Sequence, residues 1–127
     1  MEANTELALR YHAAVASGAI GADLAAYLTP DFVHHELPNL FFPDGNLSDL
    51  PAVLAAAERG QGKLASQTYR VRNTVACGDT VALEIEWTGT LKSGPTLRAH
   101  IATFLDFRDG KICGQRNYDC YEKLPDL

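Results

Sequence analysis

From Thr68 onward the chain stops repeating at helical spacing and alternates apolar with polar residues in four long runs, and this run of strands most limits its fold. The runs are Thr68–Ala76, Val81–Leu91, Leu97–Phe107 and Ile112–Tyr121. They are joined by Cys77-Gly78-Asp79, Ser93-Gly94-Pro95 and Arg108-Asp109-Gly110-Lys111. Each junction carries the glycine, aspartate or proline that tight hairpins need, so the four runs predict an antiparallel meander.

The first half has a different period. Leu7, Tyr11, Ala14 and Val15 recur at helical spacing before Gly18, predicting a helix near residues 5–17. A short helix is expected over Asp23–Leu28, with Leu24, Tyr27 and Leu28 facing in and Pro30 ending it. Phe32–Leu37 reads as a strand and Pro38–Leu47 as a loop holding Leu40, Phe41 and Phe42. Ser48 is expected to cap a third helix with the stripe Leu50, Val53, Leu54 and Ala57, closing near Gly60 and Gly62. Helices followed by a meander predict an α+β domain in which helices cover one face of a curved sheet. Without a linker, repeat or low-complexity stretch, residues 1–127 read as a single domain.

The net charge of −5 leaves no basic stripe for phosphates, arguing against nucleic acid and against anionic membrane surfaces. The acidic start, Met1-Glu2-Ala3-Asn4-Thr5-Glu6, lacks the features of a signal peptide, and no stretch is long enough to span a bilayer; a cytoplasmic setting is expected. Cys77, Cys113 and Cys120 lack CxxC spacing and read as free thiols.

Alternation places Val81, Leu83, Ile85 and Trp87 on the helix-covered face, with Glu84 and Glu86 opposite. In the next strand Ala99, Ile101, Thr103, Leu105 and Phe107 take that face, with Arg98, His100 and Asp106 outside. On the last strand, Ile112, Gly114, Arg116, Tyr118 and Cys120 alternate with Cys113, Gln115, Asn117, Asp119 and Tyr121. Neither set is cleanly apolar, so alternation alone leaves open whether Asp119 faces a cavity or water.

These residues resemble the nuclear transport factor 2-like superfamily, especially its SnoaL-like branch. The resemblance runs along nearly the whole chain, through Arg10-Tyr11-His12-Ala13-Ala14 with Gly18 and Pro30-Asp31-Phe32-Val33-His34-His35. It continues in Gly78-Asp79-Thr80-Val81-Ala82, Trp87-Thr88-Gly89-Thr90, and Phe107-Arg108-Asp109-Gly110-Lys111-Ile112 leading to Tyr118-Asp119. It implies a cone-shaped, cystatin-like roll: N-terminal helices packed on a curved antiparallel sheet, with a pocket between them. It also implies a homodimer through the outer sheet face, where Arg98, His100 and Phe104 lie. Asp119 matches the final-strand acid that serves SnoaL-like cyclases as acid/base. Glu36 falls where ketosteroid isomerases carry their base, and Tyr11 where they carry an oxyanion donor. Thr103 stands where those isomerases have a protonated aspartate, a departure that weighs against steroid isomerisation. The resemblance further places Gln115, Asn117 and Asp119 on the cavity side.

The expected site therefore has Asp119 as principal acid/base, Glu36 as second carboxylate, and Tyr11, His34 and Asn117 as polar orienters. Trp87 and Phe32 form its apolar wall, with Gln115 and Thr103 beside them. A carboxylate there loses hydration, so its pKa rises and it can move a proton α to a carbonyl. Ketosteroid isomerases work by this design, and it is carried to this chain by the resemblance. The expected ligand is a small apolar carbonyl compound undergoing cyclisation, isomerisation or dehydration, with no cofactor and no metal.

Blander readings stand beside this one. Asp119 can pair with Arg116 or Arg98, Glu36 can be a strand-end surface acid, and Tyr11 can be core with a satisfied hydroxyl. The whole chain can be a ligand-binding or accessory protein without catalysis. A metal held by His34, Glu36 and His100 lacks supporting spacing, and Gly60-Gln61-Gly62-Lys63 follows a helix where a phosphate loop would open one. The cysteines lack an evident base, no Gly-x-Ser-x-Gly elbow occurs, and the acids lack the intervening arginine of epoxide hydrolases.

Overall fold

The computed structural model describes residues 2–124. Its elements run α1 (Ala3–Ala16), α2 (Gly21–Ala25), β1 (Leu28–Glu36), β2 (Asn46–Asp49), α3 (Leu50–Lys63), β3 (Leu64–Cys77), β4 (Thr80–Leu91), β5 (Thr96–Arg108) and β6 (Lys111–Tyr121). The six strands form one sheet in the order β2-β1-β6-β5-β4-β3. The α+β architecture, with helices packed on one sheet, is as expected. The sheet is mixed, however, not wholly antiparallel: β1 returns alongside β6 in parallel.

The meander forms where the turn residues dictate. Asp109 and Gly110 both have positive φ (53° and 76°), as a two-residue hairpin between Arg108 and Lys111 requires. Leu83, Ile85, Leu105 and Phe107 are buried from the sheet side, and Ala8, Tyr11, Leu24 and Val53 from the helix side. Full burial of side chains such as Phe32, Ile85 and Leu105 contributes roughly 1.5–3 kcal/mol each, which fixes the helices over this face.

Four local expectations are corrected. Asp49, not Ser48, caps α3: its carboxylate accepts from the Ala52 N–H at 3.1 Å, with Pro51 in the first turn. The expected loop to Leu47 ends in the short edge strand β2, whose Asn46 to Asp49 pair with Glu36 to Val33. The second helix spans Gly21–Ala25, and Leu28 already begins β1. Strand β3 starts at Leu64, well before Thr68; its early residues are edge positions with little apolar pattern to reveal them.

The last strand holds the most consequential difference. Phe107 pairs with Ile112 but Asp106 pairs with Gly114, so Cys113 is an extra residue in a β-bulge. The bulge reverses the alternation. Ile112 therefore points inward and is fully buried, and Gln115 (6 % exposed) is buried on the same face three residues later.

No helix among the described residues is long and apolar enough to cross a membrane.

Candidate functional site

Past the bulge, Gln115, Asn117 and Asp119 lie opposite Leu105, Thr103 and Ile101, on the face that the helices cover. The parallel pairing with β1 adds His34 beside Gln115 and Glu36 beside Asn117. Strand β3 contributes Gln67 and Tyr69, opposite Gly89 and Trp87. These groups converge at the end of the sheet where β1 and β6 finish and β5 begins. There the ring of Phe41, from the exposed Leu40-Phe41-Phe42 loop, meets Tyr121 edge-on at 5.0 Å. The loop is wound by Asn39, whose side-chain oxygen accepts from the Phe41 and Phe42 N–H groups at 2.9 and 3.4 Å.

The expected residues separate into two depths. Phe32 (1 % exposed) and Thr103 (0 %) belong to the packed core and do not line an open wall. Tyr11 and Gln115 are also buried, and the Tyr11 hydroxyl donates to Gln115 Oε1 at 2.9 Å. Its proton is thus already committed. Asp119, Glu36, Asn117, His34 and Trp87 are half-buried and form the accessible layer. The Trp87 Nε1–H donates to Gln67 Oε1 at 3.1 Å, and its indole lies across Gly89, where a Cβ would come within 2.5 Å of Cη2.

The amides have a defined direction. Thr103 Oγ1–H and Gln115 Nε2–H donate to Asn117 Oδ1 at 2.7 and 2.9 Å. That leaves the Asn117 amino group to face Asp119 Oδ1 at 3.5 Å.

Burial raises the Asp119 pKa above the ordinary carboxylate range, with the Asn117 contact opposing it. Glu36 is raised by burial and then by the Asp119 charge, with Asn46 opposing. No lysine or arginine among the described residues moves either acid. Arg116, one sequence candidate for pairing with Asp119, binds Asp106 on the outer face at 2.5 Å. Tyr69 is pushed up to about 12 by burial and by Asp119. Tyr121 is raised by burial, then by Asp119, Glu36 and Tyr69. Burial lowers His34 to about 4, with the Asn117 side chain opposing, and its enclosed Nε2 makes no hydrogen bond of good geometry. His12 donates Nδ1–H to the Ala8 carbonyl at 3.1 Å, is lowered by burial, and packs against Tyr69 with centroids 5.8 Å apart. The cluster therefore combines two reluctant carboxylates with neutral hydroxyls, amides and imidazoles.

His100, considered with His34 and Glu36 for a metal, lies on the opposite face and bonds Glu122 at 2.9 Å. Among the described residues no three His, Cys, Asp or Glu side chains gather for a metal ion. A groove of about 510 Å³ runs beside this end, between Gly94–Arg98 and Glu122–Leu124. It lacks the converging acids and amides, so the inward cluster is the better candidate by its chemistry.

Tyr69, Tyr121, Gln67 and His12 were not singled out by the sequence pattern. Tyr121 was recoverable as the residue two beyond Asp119 on the same face, and Tyr69 as the partner in period of Val71.

Solved structures share this fold. AclR of Streptomyces galilaeus, a candidate hydroxylase, is 22% identical with a TM-score of 0.76, covering 91% of this chain and 77% of its own. IdmH of Streptomyces antibioticus, a candidate polyketide cyclase, is 21% identical with a TM-score of 0.75, covering 91% of each chain. A protein of ketosteroid isomerase-like fold from Catenulispora acidiphila, solved with trimethylamine, is 18% identical with a TM-score of 0.71, covering 89% of this chain and 84% of its own. At these identities the likeness is one of fold. No curated protein matches the chain by sequence. The sequence profile of the SnoaL-like domain matches residues 8–115, most of the chain, and the protein belongs to the SnoaL-like domain family.

Proposed function

We propose that this protein is a cofactor-free acid/base enzyme acting on a small, uncharged, largely apolar carbonyl compound. The observation that carries the reading is the placement of Asp119 and Glu36 on one inward face, both raised by burial and neither matched by a cation among the described residues. Asp119, which receives the Asn117 N–H, is the base. It takes the proton from a carbon next to the carbonyl; the C–H electrons pass into an enolate and the Asp119 carboxyl gains the proton. In its protonated form, which burial and the Asp119 charge favour, Glu36 donates a hydrogen bond or its proton to the enolate oxygen. Return of a proton to another carbon gives isomerisation, and attack of the enolate on a second carbonyl gives cyclisation. Such proton transfers contribute about 10²–10⁴-fold each. The lack of a cation beside either acid among the described residues supports a neutral substrate, since an anion would meet uncompensated carboxylate charge.

Tyr11 supports this reading less directly than expected, because its hydroxyl already serves Gln115. The half-buried Tyr69 and Tyr121, both close enough to feel the Asp119 charge, are better placed to meet a ligand.

A second reading, ligand binding without catalysis, is favoured by the filled inner layer of Phe32, Thr103 and Gln115. The two are separated by ¹H NMR of α-proton exchange into D₂O on a panel of small ketones and β-diketones. Catalysis requires exchange above the buffer rate that Asp119→Asn reduces at least about 100-fold. Unchanged exchange in that variant would exclude Asp119 as the base.

We also propose a homodimer through the outer sheet face, where Phe104 meets Tyr118 at 5.9 Å and Arg116 lies 5.7 Å from the Phe104 ring centroid. Sedimentation at micromolar concentration giving the mass of one protomer would contradict it.

A further inference from the structure

Asp119 ends a directed chain of hydrogen bonds that starts in the helix layer. Tyr11 Oη–H donates to Gln115 Oε1 at 2.9 Å. Gln115 Nε2–H donates to Asn117 Oδ1 at 2.9 Å and reaches Thr103 Oγ1 at 3.4 Å. Thr103 Oγ1–H donates to the same Asn117 oxygen at 2.7 Å. Asn117 Nδ2–H then faces Asp119 Oδ1 at 3.5 Å.

A carboxamide can exchange its oxygen and amino group by rotating its terminal torsion. Reversing only one amide here would set two N–H groups or two oxygens against each other. The chain thus has two self-consistent directions. In the observed one its last member offers N–H, which an ionised Asp119 accepts. In the reverse one Asn117 presents its oxygen, which only a protonated Asp119 can satisfy.

The two directions are not equivalent at the other end. In reverse, Gln115 would donate to the Tyr11 oxygen, and the Tyr11 O–H would lose its acceptor inside the core. A buried donor without a partner is costly, so the observed direction is preferred. We propose that Tyr11 is a positioning residue: its buried hydroxyl sets the direction of the Gln115–Asn117 relay, so that the relay offers Asp119 an N–H and favours its ionised form against the effect of burial. The relay stands on geometry alone; its catalytic use rests on the reading of Asp119 as a base.

The charged and titratable groups facing Asp119 are Glu36 from β1, Tyr69 from β3 and Tyr121 from β6, with neutral His34 alongside. Both tyrosines ionise far above the range in which carboxylates titrate, so only Glu36 couples to Asp119 there.

The test is a ¹³C-carboxyl NMR titration of Asp119 in the full chain without substrate, repeated in a Glu36→Gln background. Tyr11→Phe removes the O–H, makes the two directions comparable, and should raise the Asp119 midpoint by about half to one unit. Thr103→Val removes one donor to the Asn117 oxygen and should shift it the same way. Tyr27→Phe alters a ring packed on Tyr11 at 5.9 Å but no relay member, and should leave the midpoint unchanged. A folded Tyr11→Phe protein with the wild-type midpoint overturns the proposal, as does an equal shift in Tyr27→Phe. If Tyr11→Phe does not fold, Thr103→Val decides, and an unshifted midpoint overturns the proposal. Shifted midpoints together with undiminished exchange in Asp119→Asn would leave the relay standing and remove the catalytic reading.

Discussion

Tyr11 and Gln115, 104 positions apart in sequence, are joined inside the core by a 2.9 Å hydrogen bond. The bond ties the first helix to the strand that carries Asp119. It converts a helix-face tyrosine from a candidate ligand contact into part of the scaffold beneath the acids.

Breaking that bond is expected to cost stability. Tyr11→Phe leaves the buried Gln115 oxygen without its donor, a loss of about 1–3 kcal/mol. Urea denaturation should show a lower midpoint with an unchanged slope, since the surface exposed on unfolding stays the same. An unchanged midpoint would mean that the hydroxyl is not committed in solution.

Gly89 is expected to tolerate no side chain. A Cβ there overlaps the Trp87 ring, so Gly89→Ala must push the indole away and strain its bond to Gln67. Overpacking of this kind costs about 1–3 kcal/mol. Trp87 is the single tryptophan, so a changed fluorescence maximum in the folded variant reports the displacement directly. A wild-type spectrum with wild-type stability would place the indole elsewhere.

Acid should destabilise the fold through His34. Its folded pKa is lowered from 6.5 to about 4, so the unfolded chain binds the extra proton first as pH falls. The contribution is complete above about pH 6.5 and is lost as pH falls toward 4, roughly 3 kcal/mol across the window. His34→Gln should flatten this part of the stability profile measured by urea titration at several pH values. An equally steep profile in the variant would contradict it.

Asp119 and Glu36 act with the opposite sign. Their folded pKa values lie above the unfolded ones, so their contribution is greatest below the unfolded carboxylate pKa and falls as pH rises through the folded values. Asp119→Asn is therefore expected to be more stable than the parent at neutral pH while losing activity. Destabilisation at pH 7 would mean that the ionised acid is well solvated or paired.

Much of the fold was legible because local signals agreed. Asp109-Gly110 specified its hairpin, and Val81, Leu83 and Ile85 declared the inner face of β4. The parallel neighbour of β6 was not legible, because pairing across most of the chain leaves no local pattern. The facing of β6 was ambiguous for a nameable reason. The extra residue at Cys113 shifts the period between buried Ile112 and buried Gln115, so strict alternation groups Ile112 with the outward Arg116. Asp119 and Glu36 were reached through the family resemblance, and the burial of Thr103 and Phe32 depended on how tightly the helices close over the sheet.

Whether Asp119 and Glu36 are held inward with suppressed ionisation is decided by ¹³C-carboxyl NMR titration of both residues in the wild-type protein. Both should titrate above their ordinary values of about 4.3 and 3.9, as a coupled pair. Two independent titrations at ordinary values would show water-exposed carboxylates and contradict the account.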